Sequence, residues 1–307
     1  MVPTHNRREL LASTLRSIVR QRDAAMEVIV VDDGSRDPDV AAQVTADSGD
    51  DRVILIRNPV PTGVSAARNR GIATARGAWV AFCDDDDLWA PDKLALQLAI
   101  ARTTGCSWVY TGAVKIDVEQ RVIGGLPPPP PGEVLARLPH VNPVPGGCSG
   151  VLASAAALRT VGGFDNELVN LADWDLWRRL ATTGPPAFIP QPLVAYRLHA
   201  NNASTDAALV LSEARSLNQR DGFTIDYGAL YHYLAWVHLR SKEVRRSLPY
   251  YALAIAHGNF GPPMADLWWK LRQHLRIEGL HSPGERRRRA QRGEWRSAAE
   301  AWLNNVH

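Results

Sequence analysis

The feature that most constrains this 307-residue chain is a series of short, unbroken apolar runs, each stopped by a polar cluster. Val28-Ile29-Val30-Val31 ends at Asp32-Asp33-Gly34-Ser35, and Val53-Ile54-Leu55-Ile56 ends at Arg57-Asn58-Pro59. Trp79-Val80-Ala81-Phe82-Cys83 ends at the consecutive aspartates Asp84, Asp85, Asp86 and Asp87. Runs without alternation suit strands covered on both faces, as in a parallel sheet. Helical patterns lie between them. Asn6, with Glu9 following, has the spacing of a helix cap ahead of Leu10, Leu11, Leu15, Ile18 and Val19. Residues 64–76 and 91–103 read as two more helices, the second opening at Pro91. Strand, helix and strand in alternation predict an α/β domain: a doubly wound, mostly parallel sheet flanked by helices, with ligands at the carboxyl ends of its strands.

The rhythm changes after residue 105. Ser107–Thr111 and Ala113–Val118 read as two strands, and Pro127–Pro131 as extended polyproline. A helix is expected over 151–161, a turn at Gly162-Gly163-Phe164-Asp165, a helix over 173–182 and a strand over Pro190–Tyr196. From 206 onward the chain reads as a helical extension. Its packing faces are Tyr231, Tyr233, Leu234, Val237 and Leu239, then Leu248, Tyr251, Leu253 and Ile255. These readings divide the chain into an α/β domain over 1–205 and a helical region over 206–307.

Charge and cysteine content exclude several classes. The net charge of +3, from 35 basic and 32 acidic residues, makes no case for nucleic acid. Residues 206–307 carry 15 Lys/Arg against 10 Asp/Glu, a local +5 with its densest patch at Arg286–Arg289. That region is the candidate for contact with an acceptor, an anionic membrane surface or a second copy of the chain. No apolar run approaches the ~18–20 residues that span a bilayer, and the first residues lack the apolar core of a secretory signal. Cys83, Cys106 and Cys148 are scattered and odd in number, so they suggest buried thiols in a reducing cytoplasm rather than a disulfide framework.

Two acidic clusters follow strands that a parallel sheet would point the same way, so both belong at one edge. Adjacent carboxylates raise one another's pKa unless a cation or hydrogen-bond donors offset them. A hard divalent ion, Mg²⁺ or Mn²⁺, held by one or two carboxylates and phosphate oxygens, resolves the repulsion. A third cluster, Asp173-Trp174-Asp175, opens a helix, where one or two acidic residues commonly serve as caps.

The ordered set of Pro3-Thr4-His5-Asn6-Arg7, Val31–Ser35, Gly63–Gly71, Phe82–Asp87, Gly162–Asp165, Asp173–Leu176 and Tyr196–Ser204 resembles the family 2 glycosyltransferases of GT-A fold, over residue 2 to about 205. The resemblance implies an inverting, metal-dependent transfer of a sugar from a UDP- or dTDP-sugar to an acceptor hydroxyl. It implies that Asp33 accepts the N3–H of a uracil or thymine ring, with Pro3, Thr4, Asn6 and Asp32 around the nucleotide. Arg68 stands beside the diphosphate, Asp84 or Asp85 contacts the ribose, and Asp86 with His199 takes Mn²⁺ or Mg²⁺. Asp173 is the implied general base, and Trp174, with or without Trp177, is expected to wall the acceptor pocket. Two positions depart from the pattern. Only Met1 and Val2 precede Pro3-Thr4, where the family's first strand normally lies, so loss of that central strand would threaten stability, and Ala172 stands where the family often has Glu.

The acceptor, whether a carbohydrate, a lipid-linked glycan, a protein or a natural product, would be chosen by pocket shape around 141–150 and by the C-terminal helices. The enzyme is expected in the cytoplasm or peripherally at the inner face of the membrane. The alternatives are a sugar nucleotidyltransferase, which would open with a Gly-rich phosphate loop, and a degenerate transferase that only binds.

Overall fold

The computed structural model describes residues 1–199, 206–220, 222–241, 243–260 and 283–304, with the backbone alone at 283–292. Ala200–Ser204 of the last motif therefore lies outside the described residues, as do the side chains of Arg286–Arg289.

In chain order the elements of the α/β part are β1 (Val2–Thr4), α1 (Arg8–Val19), β2 (Val28–Asp33), α2 (Pro38–Asp47), β3 (Val53–Asn58), α3 (Val64–Thr74), β4 (Trp79–Ala81), β5 (Leu88–Trp89) and α4 (Lys93–Thr104). They continue with β6 (Trp108–Ile116), β7 (Val122–Leu126), α5 (Pro131–Arg137), β8 (Val151–Ser154), α6 (Ala155–Thr160), α7 (Ala172–Leu180) and β9 (Ala187–Arg197). The helices α8 (Ala207–Asn218), α9 (Tyr227–Arg240), α10 (Val244–Ala256) and α11 (Pro283–Leu303) follow.

The apolar runs form the strands they predict. Every residue of β2 is buried, as a strand covered on both faces requires. β2 pairs in parallel with β1 and with β3, with Thr4 opposite Asp32 and Asp33 opposite Asn58. The first strand still forms. The Met1 amine donates to the Ala81 carbonyl at 2.7 Å and Cys83 N–H donates to Met1 O at 3.1 Å, which carries the hydrogen bonding from β1 to β4. Burial lowers the pKa of that amine to about 6.

Beyond β4 the order is β4-β8-β6-β9-β5, with β7 on β6. This part is mixed: β8 is antiparallel to both β4 and β6, whereas β6 and β9 run parallel. The ends of β1, β2, β3, β4 and β9 consequently share one rim, which carries Thr4, Asp33, Asn58, Asp84 and Arg197.

Several local expectations give way to tertiary context. Asn6 is not a cap: α1 starts at Arg8, and Asn6 adopts φ +57° with its side chain accepting from Arg36 N–H at 2.8 Å. The two strands expected within 107–118 are a single one, β6 (Trp108–Ile116), whose register against β9 shifts at Gly112. Over 151–161 a strand precedes the helix, because Val151–Ala153 fill the slot between β4 and β6. Pro131, the last of the proline tract, opens α5.

The chain falls into two compact units. One comprises Met1–Leu138, Asn142–His199 and Arg292–His307; the other comprises Pro139–Val141 and Ala200–Gln291. The end of α11 belongs to the first because its apolar face packs there. Ala299 and Leu303 join Leu88, Val114, Ile116 and Ala195 in one cluster, and Trp302 Nε1–H donates to Pro192 O at 3.0 Å. In the second unit Leu234, Val237 and Tyr251 are buried, but Tyr233, Leu248 and Leu253 of the expected packing faces are exposed.

One glycine fixes the loop beneath the site. Gly34 has φ +68°, and a Cβ there would lie 2.5 Å from the backbone nitrogen of Pro61. That close approach seats the 60–63 segment next to the end of β2. Gly34→Ala is expected to destabilise the protein by about 2 kcal/mol or more. Urea unfolding reads this directly, and an unchanged midpoint would show that the loop has another support.

Candidate active site

The rim is built from carboxylates, each held differently. Asp32 is fully buried, accepting from Arg57 Nη1–H at 2.5 Å and from Ser35 N–H at 3.0 Å, so it closes the β2–α2 loop. Asp33 accepts from Asn58 Nδ2–H at 2.7 Å, Thr62 Oγ1–H at 2.7 Å, Thr62 N–H at 2.9 Å and Gly63 N–H at 2.8 Å. Burial alone would raise its pKa, but these bonds outweigh that and hold the carboxyl below its usual range. Asp33 is therefore a fixed anion at the end of β2. Pro3 lies in β1 opposite Val31, while the loop after β1 binds the same region: His5 Nδ1–H donates to Asp33 O at 2.8 Å and Asn6 N–H to Ser35 Oγ at 2.8 Å.

The four aspartates after β4 each find a different counterpart. Asp84 pairs with Arg68 Nη2 at 2.5 Å. Asp85 accepts from Thr4 Oγ1–H at 2.7 Å and from Arg7 Nη1–H at 2.9 Å. Asp86 Oδ2 accepts from Arg7 Nη1–H at 3.0 Å and from His199 Nε2–H at 2.8 Å. Asp87 accepts from Ser149 Oγ–H at 2.6 Å and from Arg197 N–H at 2.9 Å. Burial first, and then the Asp86 charge, push Asp85 up to about 6, although Arg7 and Thr4 oppose them. The same two causes hold Asp87 well above the usual carboxylate range.

Below this loop lies a polar floor. Ser149, fully buried in the 3-10 turn Gly147–Gly150, accepts from Asp84 N–H at 3.0 Å while donating to Asp87. Its carbonyl accepts from Trp89 Nε1–H at 3.0 Å, and Lys93 Nζ sits 4.0 Å from the centroid of the Trp89 ring. Burial lowers the Lys93 pKa to about 7.

Asp173 stands in the first turn of α7. It accepts from Trp174 N–H at 2.7 Å and from Asn142 Nδ2–H at 3.1 Å. Burial raises its pKa to about 6, against the pull of the Arg68 charge, and Asp84 adds to the rise. Arg68 thus joins the two carboxylates electrostatically. Its guanidinium lies 5.2 Å from the centroid of the Phe164 ring, and its buried Nε has no hydrogen-bond partner among the described residues. The Gly-Gly-Phe-Asp turn supports this corner, because Asn69 and the Phe164 backbone exchange two 2.8 Å hydrogen bonds.

The two tryptophans are structural. Trp174 is buried with its Nε1–H on Leu138 O at 2.7 Å, so it belongs to the interior rather than to a pocket wall. Trp177 is fully buried and stacks on Trp108 with ring centroids 6.0 Å apart.

Among the described residues no group of three or more His, Cys, Asp or Glu side chains is gathered to cage an ion. The donors present nevertheless suit a partly substrate-held one. Asp86 offers a hard oxygen and His199 a ring nitrogen 2.8 Å away, and Mg²⁺-type sites commonly complete their shell with phosphate and water.

The glycosyl transferase family 2 model matches residues 1–156, just over half of the chain. The chain belongs to glycosyl transferase family 2. It is 29% identical over 210 residues to an uncharacterized glycosyltransferase of Haemophilus influenzae, covering 66% of this chain and 69% of that one. It is 25% identical over 209 residues to WfaP of Escherichia coli, a UDP-Glc:alpha-D-GlcNAc-diphosphoundecaprenol beta-1,3-glucosyltransferase, covering 67% of this chain and 79% of WfaP. Several other relatives are matched over less than half of their own length. Among solved structures, S. aureus TarS 1-349 in complex with UDP-GlcNAc superposes with a TM-score of 0.57 at 16% identity, over 78% of this chain and 71% of that one. That likeness shows a shared GT-A fold.

Family 2 membership and the glycosyltransferase relatives make the chain a glycosyltransferase rather than a sugar nucleotidyltransferase. Several residues that hold these carboxylates carry no signal of their own in the sequence. Asn58 closes β3 and Thr62 lies in the loop after it, Ser149 and Asn142 fall within 141–150, and Arg7 follows Asn6 in the first motif. Ser149→Ala would leave Asp84 N–H and Asp87 short of a partner in a buried place, which costs about 1–3 kcal/mol. Denaturant unfolding should show that loss, and a neutral substitution would mean that the floor does not hold the acidic loop.

Proposed function

We propose that this glycosyltransferase moves a sugar from a UDP-sugar to a hydroxyl of a lipid-linked, diphosphate-bearing glycan, with inversion at the anomeric carbon. The observation that carries the reading is the Asp173 carboxyl, held by Asn142 and coupled through Arg68 to Asp84. The donor class is supported by Asp33, a permanently ionised acceptor suited to the N3–H of uracil or thymine, and by the UDP-Glc named for WfaP. WfaP's name also supports the acceptor class, a sugar linked to undecaprenol through a diphosphate. Among the described residues no helix is long and apolar enough to cross a membrane, so an acceptor of this kind would be met peripherally, at the inner face.

In this mechanism Asp33 and the Thr4 loop orient the nucleotide, and Asp84 or Asp85 receives ribose hydroxyls. Arg68 supplies positive charge at the diphosphate. Asp86 and His199 would hold a divalent ion, Mn²⁺ or Mg²⁺, which when bound would supply Lewis-acid stabilisation of the leaving group. Asp173 takes the acceptor's proton as its oxygen attacks from the face opposite the diphosphate. A carboxyl raised to about 6 is a stronger base than an ordinary aspartate and is still ionised at neutral pH.

The sign of the pH dependence follows. Below about 6 Asp173 is protonated and cannot accept, so kcat/KM should climb through that value and level off above it. Asp173→Asn should lower transfer by about 10²–10⁴-fold, abolish that rise and leave UDP affinity unchanged. Turnover of a UDP-sugar panel with a diphosphate-lipid acceptor measures both. Undiminished turnover in the variant would defeat the base assignment.

A further inference from the structure

The free protein supplies its own cation to the acidic loop. Arg7 Nη1 bridges Asp85 Oδ1 at 2.9 Å and Asp86 Oδ2 at 3.0 Å, and that same Asp86 oxygen accepts from His199 Nε2 at 2.8 Å. The two carboxylates are almost wholly buried, whereas the Arg7 side chain is 30% exposed and has solvent to retreat into. Its backbone is not free to follow, because the adjoining His5 and Asn6 are fixed to the Asp33 carbonyl and to Ser35 and Arg36.

A guanidinium stays charged at any working pH. A divalent ion binding Asp86 Oδ2 needs the lone pairs that Arg7 and His199 now use, and two cations on one oxygen repel.

We propose that Arg7 is a resident counter-ion: it holds Asp85 and Asp86 together before the divalent ion arrives, and it must leave Asp86 for that ion to bind. This rests on the reading that Asp86 and His199 take the ion. Arg7 acts through the carboxylates and is a positioning residue. Without nucleotide, whose phosphates add ligands and negative charge, the ion therefore binds weakly.

The test is Mn²⁺ titration of the full chain without nucleotide, read by calorimetry or by the electron spin resonance of free Mn²⁺. Arg7→Gln should bind Mn²⁺ roughly tenfold more tightly than wild type, as expected when a like charge a few ångströms away is removed. Arg7→Lys, which keeps the charge, should stay close to wild type. In chelator, Arg7→Gln should also melt at a lower temperature, and Mn²⁺ should restore it, because the ion replaces the lost positive charge. Equal or weaker Mn²⁺ binding by Arg7→Gln would overturn the proposal. So would failure of that variant to fold even in saturating Mn²⁺. If wild type binds UDP more tightly with Mn²⁺ but Arg7→Gln shows no gain, only the role of Arg7 falls. If no form of the protein responds to Mn²⁺, the ion assignment falls as well.

Discussion

Four consecutive carboxylates at the end of one strand repel one another, and much of the surrounding structure is arranged around keeping them together. Arg68 reaches Asp84 from α3, Arg7 reaches Asp85 and Asp86 from the β1–α1 loop, and His199 comes to Asp86 from beyond β9. Ser149 and the Arg197 backbone hold Asp87 from below. Segments far apart in the chain are thus drawn to one rim by charge and hydrogen bonding as well as by the sheet beneath. A buried anion left without such partners costs several kcal/mol, so their placement is a condition of folding as much as of activity.

Asp33 and Asp173 show what environment does to identical side chains. Asp33, ringed by donors from Asn58, Thr62 and Gly63, is held as an anion and can only accept. Asp173 has fewer donors and a half-buried side chain, and desolvation raises it to about 6, so its proton can be exchanged near neutral pH. In the proposed mechanism one would recognise a base edge and the other would transfer a proton, a division that pKa tuning permits.

Much of the α/β frame was legible because its signals are strong and local. The run Val28–Val31 could be covered only on both faces, and the acidic residues that stop it had to emerge at the strand end. What was not legible depended on distant partners. Asn6 has the spacing of a cap, yet the amide finds Arg36 N–H and the backbone turns to positive φ instead. Val151–Ala153 looks helical until β4 and β6 leave a gap between them. Trp174 sits beside the proposed base in sequence, but helix geometry turns its ring inward to Leu138. Likewise the last turns of α11 follow a stretch rich in arginine, while Ala299, Trp302 and Leu303 carry them onto β6 and β9. Ser149 and Arg7 contribute by position alone, which residue type cannot announce.

In the proposed function Asp33, Asp86 and Asp173 serve one bound donor. A crystal structure of the protein with Mn²⁺ and an unhydrolysed UDP-sugar analogue tests it most directly. The expected result is the uracil N3–H on Asp33, the ion between Asp86, His199 and the diphosphate, and Asp173 facing the anomeric carbon from the side away from that diphosphate. A nucleotide bound off this rim, or an Asp173 on the same side as the leaving group, would contradict it.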